Sequence, residues 1–374
     1  MNKPATFSDL QNTAKHHHCI HPWADLWINA AGHVTCCPQN RSLFGNIHQH
    51  SIEQLWNSDA AQTVRRLIAE GDYIAAGCEI ECPYLRGRKD APEEPPPANE
   101  LINLDFELPV AESAMQRNIA TVIAEYSNKS QVLSGLPIYV DTQPVLRCNA
   151  DCIMCPQPHM SDMRHSEEIL QKLETLRATA KVFRWQGGEV FSSKRFFHYL
   201  HQFDTTDNPD LVKYVITNGS LLTEERIAAL TDHDNPVFFL LSIDGVQQST
   251  FEKIRLGLSY RQVMATLHFL ASAQATNRSG RKLVRWNYVV MNSTLAEMRT
   301  AIDLADDLKV DLNFAALQGD YPEENIFRYP LHDIDTLLDR FADLATYSSS
   351  KSIQVDGLSG LSYRLRQHLS EPHG

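Results

Sequence analysis

Leu146-Arg147-Cys148-Asn149-Ala150-Asp151-Cys152-Ile153-Met154-Cys155 is the stretch on which the reading of this chain turns. Its cysteines are spaced C-x3-C-x2-C, directly after an apolar run at 138–145 that reads as a strand. Three thiolates therefore share one short loop. Thiolates are the usual ligands of iron–sulfur clusters. A cube of four irons held by three cysteines keeps one iron open. Open metal positions do chemistry, whereas closed four-ligand sites are structural. Zinc is the alternative for the same loop. It wants four tetrahedral ligands, and His159 or His165 could supply the fourth.

The sequence downstream keeps a regular rhythm. Residues 181–186 are strand-like and end in Gly187-Gly188-Glu189. Two glycines let a backbone approach a ligand closely. Residues 212–216 form a strand closing in Thr217-Asn218-Gly219, and residues 237–243 one closing in Asp244-Gly245. Further strands are expected at 283–291 and 310–317. Helix-period segments lie between them. One is 166–178, and another is 223–230, with Thr223 as N-cap and two glutamates in its first turn. Six strands alternating with helices predict an α/β fold with a parallel sheet and right-handed crossovers. In such folds ligands sit at the carboxyl ends of the strands, where the cysteine loop and the Gly-containing turns fall.

The cysteine loop, with apolar Met154 before its last cysteine, resembles the cluster loop of radical SAM enzymes. The resemblance covers residues 137–317 and implies a partial (β/α)6 barrel. It implies a 4Fe-4S cluster on Cys148, Cys152 and Cys155, with the open iron chelated by the amino and carboxylate groups of S-adenosylmethionine. One electron then cleaves the sulfonium to a 5'-deoxyadenosyl radical, which takes hydrogen from a C–H bond. It implies that Gly187, Gly188 and Glu189 hold the cofactor's amino group. Ser242 and Arg255 are implied at its ribose and carboxylate, with Met154 and Asn218 as further contacts.

The other five cysteines, Cys19, Cys36, Cys37, Cys78 and Cys82, lie in the first quarter of the chain. Gly32 reads as a hairpin turn between residues 26–28 and 34–36. Ser51 with Gln54 forms a capping box, opening one amphipathic helix with apolar Ile52, Leu55, Trp56, Val64, Leu67 and Ile68. This frame resembles the SPASM and twitch cluster domains attached to many radical SAM enzymes. Cys19 to Gly32 and on to Cys37 fits their C-x(9–15)-G-x4-C signature, and Cys78 with Cys82 fits their closing C-x3-C. The resemblance implies an auxiliary 4Fe-4S cluster on Cys19, Cys37, Cys78 and Cys82, with Cys36 able to exchange roles with Cys37. Two departures stand out: the cysteines suffice for one cluster, and the domain precedes the barrel. Zinc is again the alternative.

The expected organisation follows: 1–88 a SPASM/twitch-like domain, 89–136 a linker with a bridging helix, 137–330 the barrel, and 331–374 a helical extension. The linker holds the Pro- and acid-rich run 89–99, which predicts an extended chain. Eight cysteines among 374 residues, with no signal-peptide pattern at the start, point to metal rather than disulfides and to a cytoplasmic protein. No apolar run reaches the ~18 residues of a membrane span. A net charge of −12 argues against broad nucleic-acid binding. The resemblance implies an oxidoreductase-like enzyme served by an electron donor such as flavodoxin or ferredoxin. Its substrate is expected to be a peptide or protein, with a sugar or nucleoside as the alternative. A non-catalytic zinc-binding interaction protein is the reading from a different class.

Overall fold

A computed structural model describes residues 18–79, 82, 85, 113–157 and 160–370. The expected linker run at 89–99 and His159 lie outside the described residues. The chain begins with α1 (His21–Ala24), β1 (Asp25–Ile28), β2 (His33–Thr35) and β3 (Gly45–Asn46), then α2 (Ile52–Trp56), α3 (Asp59–Glu70) and α4 (Ala114–Ser127). Next come β4 (Tyr139–Val145), β5 (Asp151–Cys152), α5 (Glu167–Glu174), β6 (Val182–Gly187), α6 (Lys194–Gln202), β7 (Val212–Thr217) and α7 (Glu224–Thr231). They are followed by β8 (Val237–Ser242), α8 (Gln248–Ile254), β9 (Arg255–Leu256), α9 (Tyr260–Thr276), β10 (Val284–Val290), α10 (Met298–Leu308) and β11 (Asp311–Ala316). The chain closes with α11 (Ile334–Ser348), β12 (Val355–Asp356) and α12 (Leu358–Ser370). All six expected strands are present. No helix among the described residues is long and apolar enough to cross a membrane.

The chain divides into two compact units, and the division does not follow the expected boundaries. One unit takes the described residues up to Val145, with Met163–Gly187 and Gln202–Lys213. The other takes Leu146–Asp162, Gly188–His201 and Tyr214 onward. The reason lies in β1. It pairs antiparallel with β2 across Gly32, as expected, but it also pairs in parallel with β4, from Asp25↔Tyr139 to Ile28↔Thr142. The cysteine-rich segment thus extends the sheet instead of standing apart.

In the first unit the strand order is β3-β2-β1-β4-β6. Ser51 and Gln54 form the expected capping box. The single helix expected behind them is two. Ser58 accepts from the Ala61 N–H and starts α3, while the Asn57 amide is drawn off to the Leu133 backbone. Arg65 of α3 is fully buried and donates to the carbonyls of Pro22, Trp56 and Gln131. Its charge is met mainly by these backbone oxygens, with Asn57 Oδ1 at 3.5 Å as a further acceptor, which ties three segments together.

In the second unit the order is β7-β8-β10-β11-β12, with β8, β10, β11 and β12 parallel. Residues 237–241 of β8 are all buried, the continuous apolar run of a covered parallel strand. β10 alternates instead: Val284, Trp286, Tyr288 and Val290 are buried, and Arg285, Asn287 and Val289 are partly exposed. β12, in the tail expected to be helical, adds a strand to β11. A separate two-stranded ribbon joins β5 to β9, antiparallel.

Candidate active site and a second thiol cluster

The cysteine loop opens the second unit and is pinned by the ribbon. Cys152 sits opposite Arg255, and Asp151 opposite Leu256. Ile153 N–H donates to the Ile254 carbonyl at 3.0 Å, and Cys155 N–H closes a turn onto the Cys152 carbonyl at 3.1 Å. Asn218, after β7, reaches the loop from another side. Its Nδ2 lies 2.9 Å from Asn149 Oδ1 and 3.7 Å from Cys148 Sγ. Met154 packs on Ile254, Met291 and Leu317. Burial pushes the Cys148 thiol up and takes Cys152 to about 11, against the pull of Arg255, and Cys155 adds to both shifts. Cys148 and Cys152 therefore keep their protons until a metal displaces them.

Gly187-Gly188-Glu189 lies against this loop, but not as its sequence suggests. A Cβ on Gly188 would fall 2.2 Å from the Arg147 carbonyl oxygen, and one on Gly187 2.3 Å from that of Val145. Gly187 also has φ +129°, a left-handed backbone that favours glycine. The glycines thus permit a close backbone approach. The Glu189 carboxylate is a correction. It is 1 % exposed, accepts from the N–H groups of Phe191 and Asn218, and accepts from the Thr217 hydroxyl on both oxygens. Burial raises its pKa, while these donors oppose the rise. The carboxylate braces the turns after β6 and β7 and offers no exposed oxygen to an incoming ammonium.

Arg255 is the second adjustment. It follows α8 directly and begins β9. Its Nε and Nη2 lie 2.9 Å and 2.7 Å from Asp244 Oδ2. Its Nη1 faces Cys152 Sγ at 4.0 Å. Asp244 is fully buried, and its other oxygen accepts from the Val289 N–H at 2.8 Å. The guanidinium therefore already carries a carboxylate of the chain's own. Sequence reasoning quoted Asp244 only as part of a turn; its place after a buried strand was the signal for a buried, paired acid. Ser242 ends β8 and is partly exposed. His165, weighed as a zinc ligand, is not available: Nδ1 meets the Thr142 hydroxyl and Nε2 the Asn29 carbonyl.

The second group of thiols lies in the first unit. The Cys19 thiol is pushed up by burial first, and then by Cys37, Cys82 and Cys78, so these four sulfurs act on one another. Asn40 pairs with Cys78 through a backbone bridge and through Nδ2 at 3.5 Å from its sulfur. Cys36 is buried and hydrogen-bonds Cys37. That bond lowers Cys37 and raises Cys36, so Cys37 is the better thiolate. Burial disfavours a charged His21, but the adjacent Asp25 carboxylate overrides it and holds the ring up to about 9. This imidazolium also favours ionised Cys37.

Two sequence-family models match the chain: the radical SAM superfamily over residues 142–305, and SPASM, described as an iron–sulfur cluster-binding domain, over residues 19–83. Residues 142–305 thus carry a radical SAM domain and residues 19–83 a SPASM domain. The first implies a 4Fe-4S cluster and S-adenosylmethionine, and the second implies an auxiliary iron–sulfur cluster. These domain matches favour iron–sulfur clusters over the zinc alternatives. No curated protein matches the chain. Among solved structures, Streptococcus suis SuiB bound to S-adenosylmethionine has a TM-score of 0.50 at 12% identity, with 79% of this chain and 65% of that one covered. The radical SAM protein anSMEcpe with bound AdoMet has a TM-score of 0.47 at 16% identity, covering 59% and 64%. SuiB bound to its precursor peptide SuiA gives 0.48 at 11% identity, covering 91% and 72%. The chain thus spans just under two thirds of the first two proteins. The SuiB likeness shows a shared fold alone.

Proposed function

We propose that this radical SAM protein reductively cleaves S-adenosylmethionine and abstracts hydrogen from a C–H bond of a peptide or protein side chain. The observation that carries this reading is the set of three mutually interacting thiols on one loop, pinned by the β5–β9 ribbon. When bound, the cluster and S-adenosylmethionine supply a one-electron cleavage that yields a carbon radical. The chain's own residues do the rest. Cys148, Cys152 and Cys155 hold the cluster. Asn218 and Arg255 approach its Cys148 and Cys152 sulfurs. The bare backbone of Gly187 and Gly188 gives the cofactor's amino group access to carbonyl oxygens.

Cys19, Cys37, Cys78 and Cys82 hold the auxiliary cluster. Four protein ligands leave no open iron, which suits electron transfer and a net oxidation such as a crosslink or dehydrogenation. SuiB is solved with a precursor peptide, and a peptide is the proposed substrate class here too. A small protein such as flavodoxin or ferredoxin is the proposed electron donor. The eight free thiols suit a reducing, cytoplasmic setting. The test is anaerobic reconstitution with iron and sulfide, then assay of 5'-deoxyadenosine after dithionite. Changing Cys148, Cys152 and Cys155 together to alanine is expected to abolish the product. Deoxyadenosine from that variant sinks the assignment.

A further inference from the structure

One face of the second unit's sheet carries a polar row that the proposed function does not use. The register places Ser242 of β8 beside Asn287 of β10, Asn287 beside Asn313 of β11, and Asn313 beside Asp356 of β12. Partners on adjacent strands share a face, so the row crosses four strands at steps of ~4.8 Å. All four residues are partly exposed. On the opposite face Trp286, Tyr288, Leu312 and Phe314 are buried. Barrel interiors are ordinarily filled with branched apolar side chains. A row of serine, asparagine and aspartate left open on this face instead provides hydrogen-bonding groups for a ligand.

The chemistry of the row narrows that ligand. Asn313 Nδ2 donates to Asn287 Oδ1 at 2.7 Å. This one bond orients both amides. It leaves the Asn287 amide nitrogen as a donor and the Asn313 oxygen as an acceptor, with no second partner among the described residues. Arg285 lies two residues before Asn287 on the same face, and its Nη1 pairs with Asp356 at 3.2 Å. The row therefore carries no net charge, which disfavours a phosphate or a carboxylate. Ala315, two residues after Asn313 on the same face of β11, is partly exposed and presents only a methyl group. A bulky chain can approach it closely. A free donor and a free acceptor on neighbouring strands match the C=O and N–H of a peptide group.

We propose that Asn287 and Asn313 bind the main chain of an extended peptide segment. Ser242 stands at the end nearest the cysteine-loop site, and the Arg285–Asp356 pair keeps the far end neutral. This rests on the proposed peptide substrate and names the side chains that hold its main chain.

The test is a saturation-transfer NMR titration of the reconstituted full chain, with S-adenosylmethionine present. The probes are N-acetyl-alanyl-alanine methylamide and methyl glucoside. The dipeptide is expected to bind and the glucoside not to bind. Asn313→Leu removes the acceptor and frees its partner, and is expected to weaken dipeptide binding about fivefold to tenfold. Asn287→Ala sits on an open face and tests the donor if the leucine variant does not fold. Equal dipeptide binding by wild type and a folded variant overturns the proposal, as does binding of the glucoside alone or of neither probe. Deoxyadenosine formation is measured on the same samples. If it persists while dipeptide binding fails, the row assignment falls and the radical reading stands.

Discussion

Replacing Glu189 with alanine decides whether its carboxylate serves the cofactor or the fold. The carboxylate takes the Phe191 N–H at 3.1 Å, the Thr217 hydroxyl at 2.8 Å and the Asn218 N–H at 2.9 Å. Its removal strands three donors in a buried site. Hydrogen bonds to a charged group contribute about 1.5–3 kcal/mol each, and a stranded donor costs about 1–3 kcal/mol. Three such terms do not add in full. Deletion also relieves the desolvation that raises this group's pKa, and the Thr217 hydroxyl can turn to another acceptor. The expected net loss is about 3 kcal/mol. Glu189→Gln keeps one oxygen but sets an NH2 against a donor, so about 2 kcal/mol is expected. The assay is urea unfolding of wild type and variants under identical anaerobic conditions, paired with S-adenosylmethionine calorimetry on the loaded protein. If Glu189→Ala unfolds at the wild-type midpoint yet binds S-adenosylmethionine about tenfold more weakly, the brace argument is wrong. The carboxylate then contacts the cofactor, as its sequence context suggests.

Gly188→Val is expected to cost the barrel cluster itself, because its Cβ would meet the Arg147 backbone; retained barrel-cluster absorbance and EPR signal would show that the cysteine loop moves freely. Cys37→Ser should lose the auxiliary cluster's iron while Cys36→Ser keeps it, since Cys36 is the hydrogen-bond donor of the pair; the reverse pattern in an iron assay makes Cys37 the spare thiol. His165 is buried, and burial drops its pKa from 6.5 to about 4. Its neutral form is the folded one, so the stability it contributes is intact above about pH 6.5 and is lost as pH falls toward 4, to a limit of about 3 kcal/mol. His165→Gln should flatten the fall in unfolding free energy across that window, and an unchanged slope means another group titrates there.

The spacing of Cys148, Cys152 and Cys155 could be read directly because it is local. Three sulfurs within one loop face the same space in almost any fold that begins the loop at a strand end. The capping boxes and strand runs were legible for the same reason: the Ser51–Gln54 pair and the apolar run of β8 are satisfied within a few residues. The break between α2 and α3 was not, because the amide that ends α2 is captured by Leu133, 76 residues away. Nor was the parallel pairing of β1 with β4, which merges the cysteine-rich segment into the sheet. Backbone hydrogen bonds between distant strands leave no mark in either strand's composition. Side-chain direction was the other limit. A carboxylate after two glycines reads as a ligand for an ammonium. Only the packed structure shows Thr217 and Asn218 brought against Glu189 from another strand, and Asp244 set under Arg255. Chemistry carried by neighbouring residues was thus settled by sequence. Which groups are already spoken for depends on contacts between residues far apart in the chain, and those exist only once burial has driven the strands together.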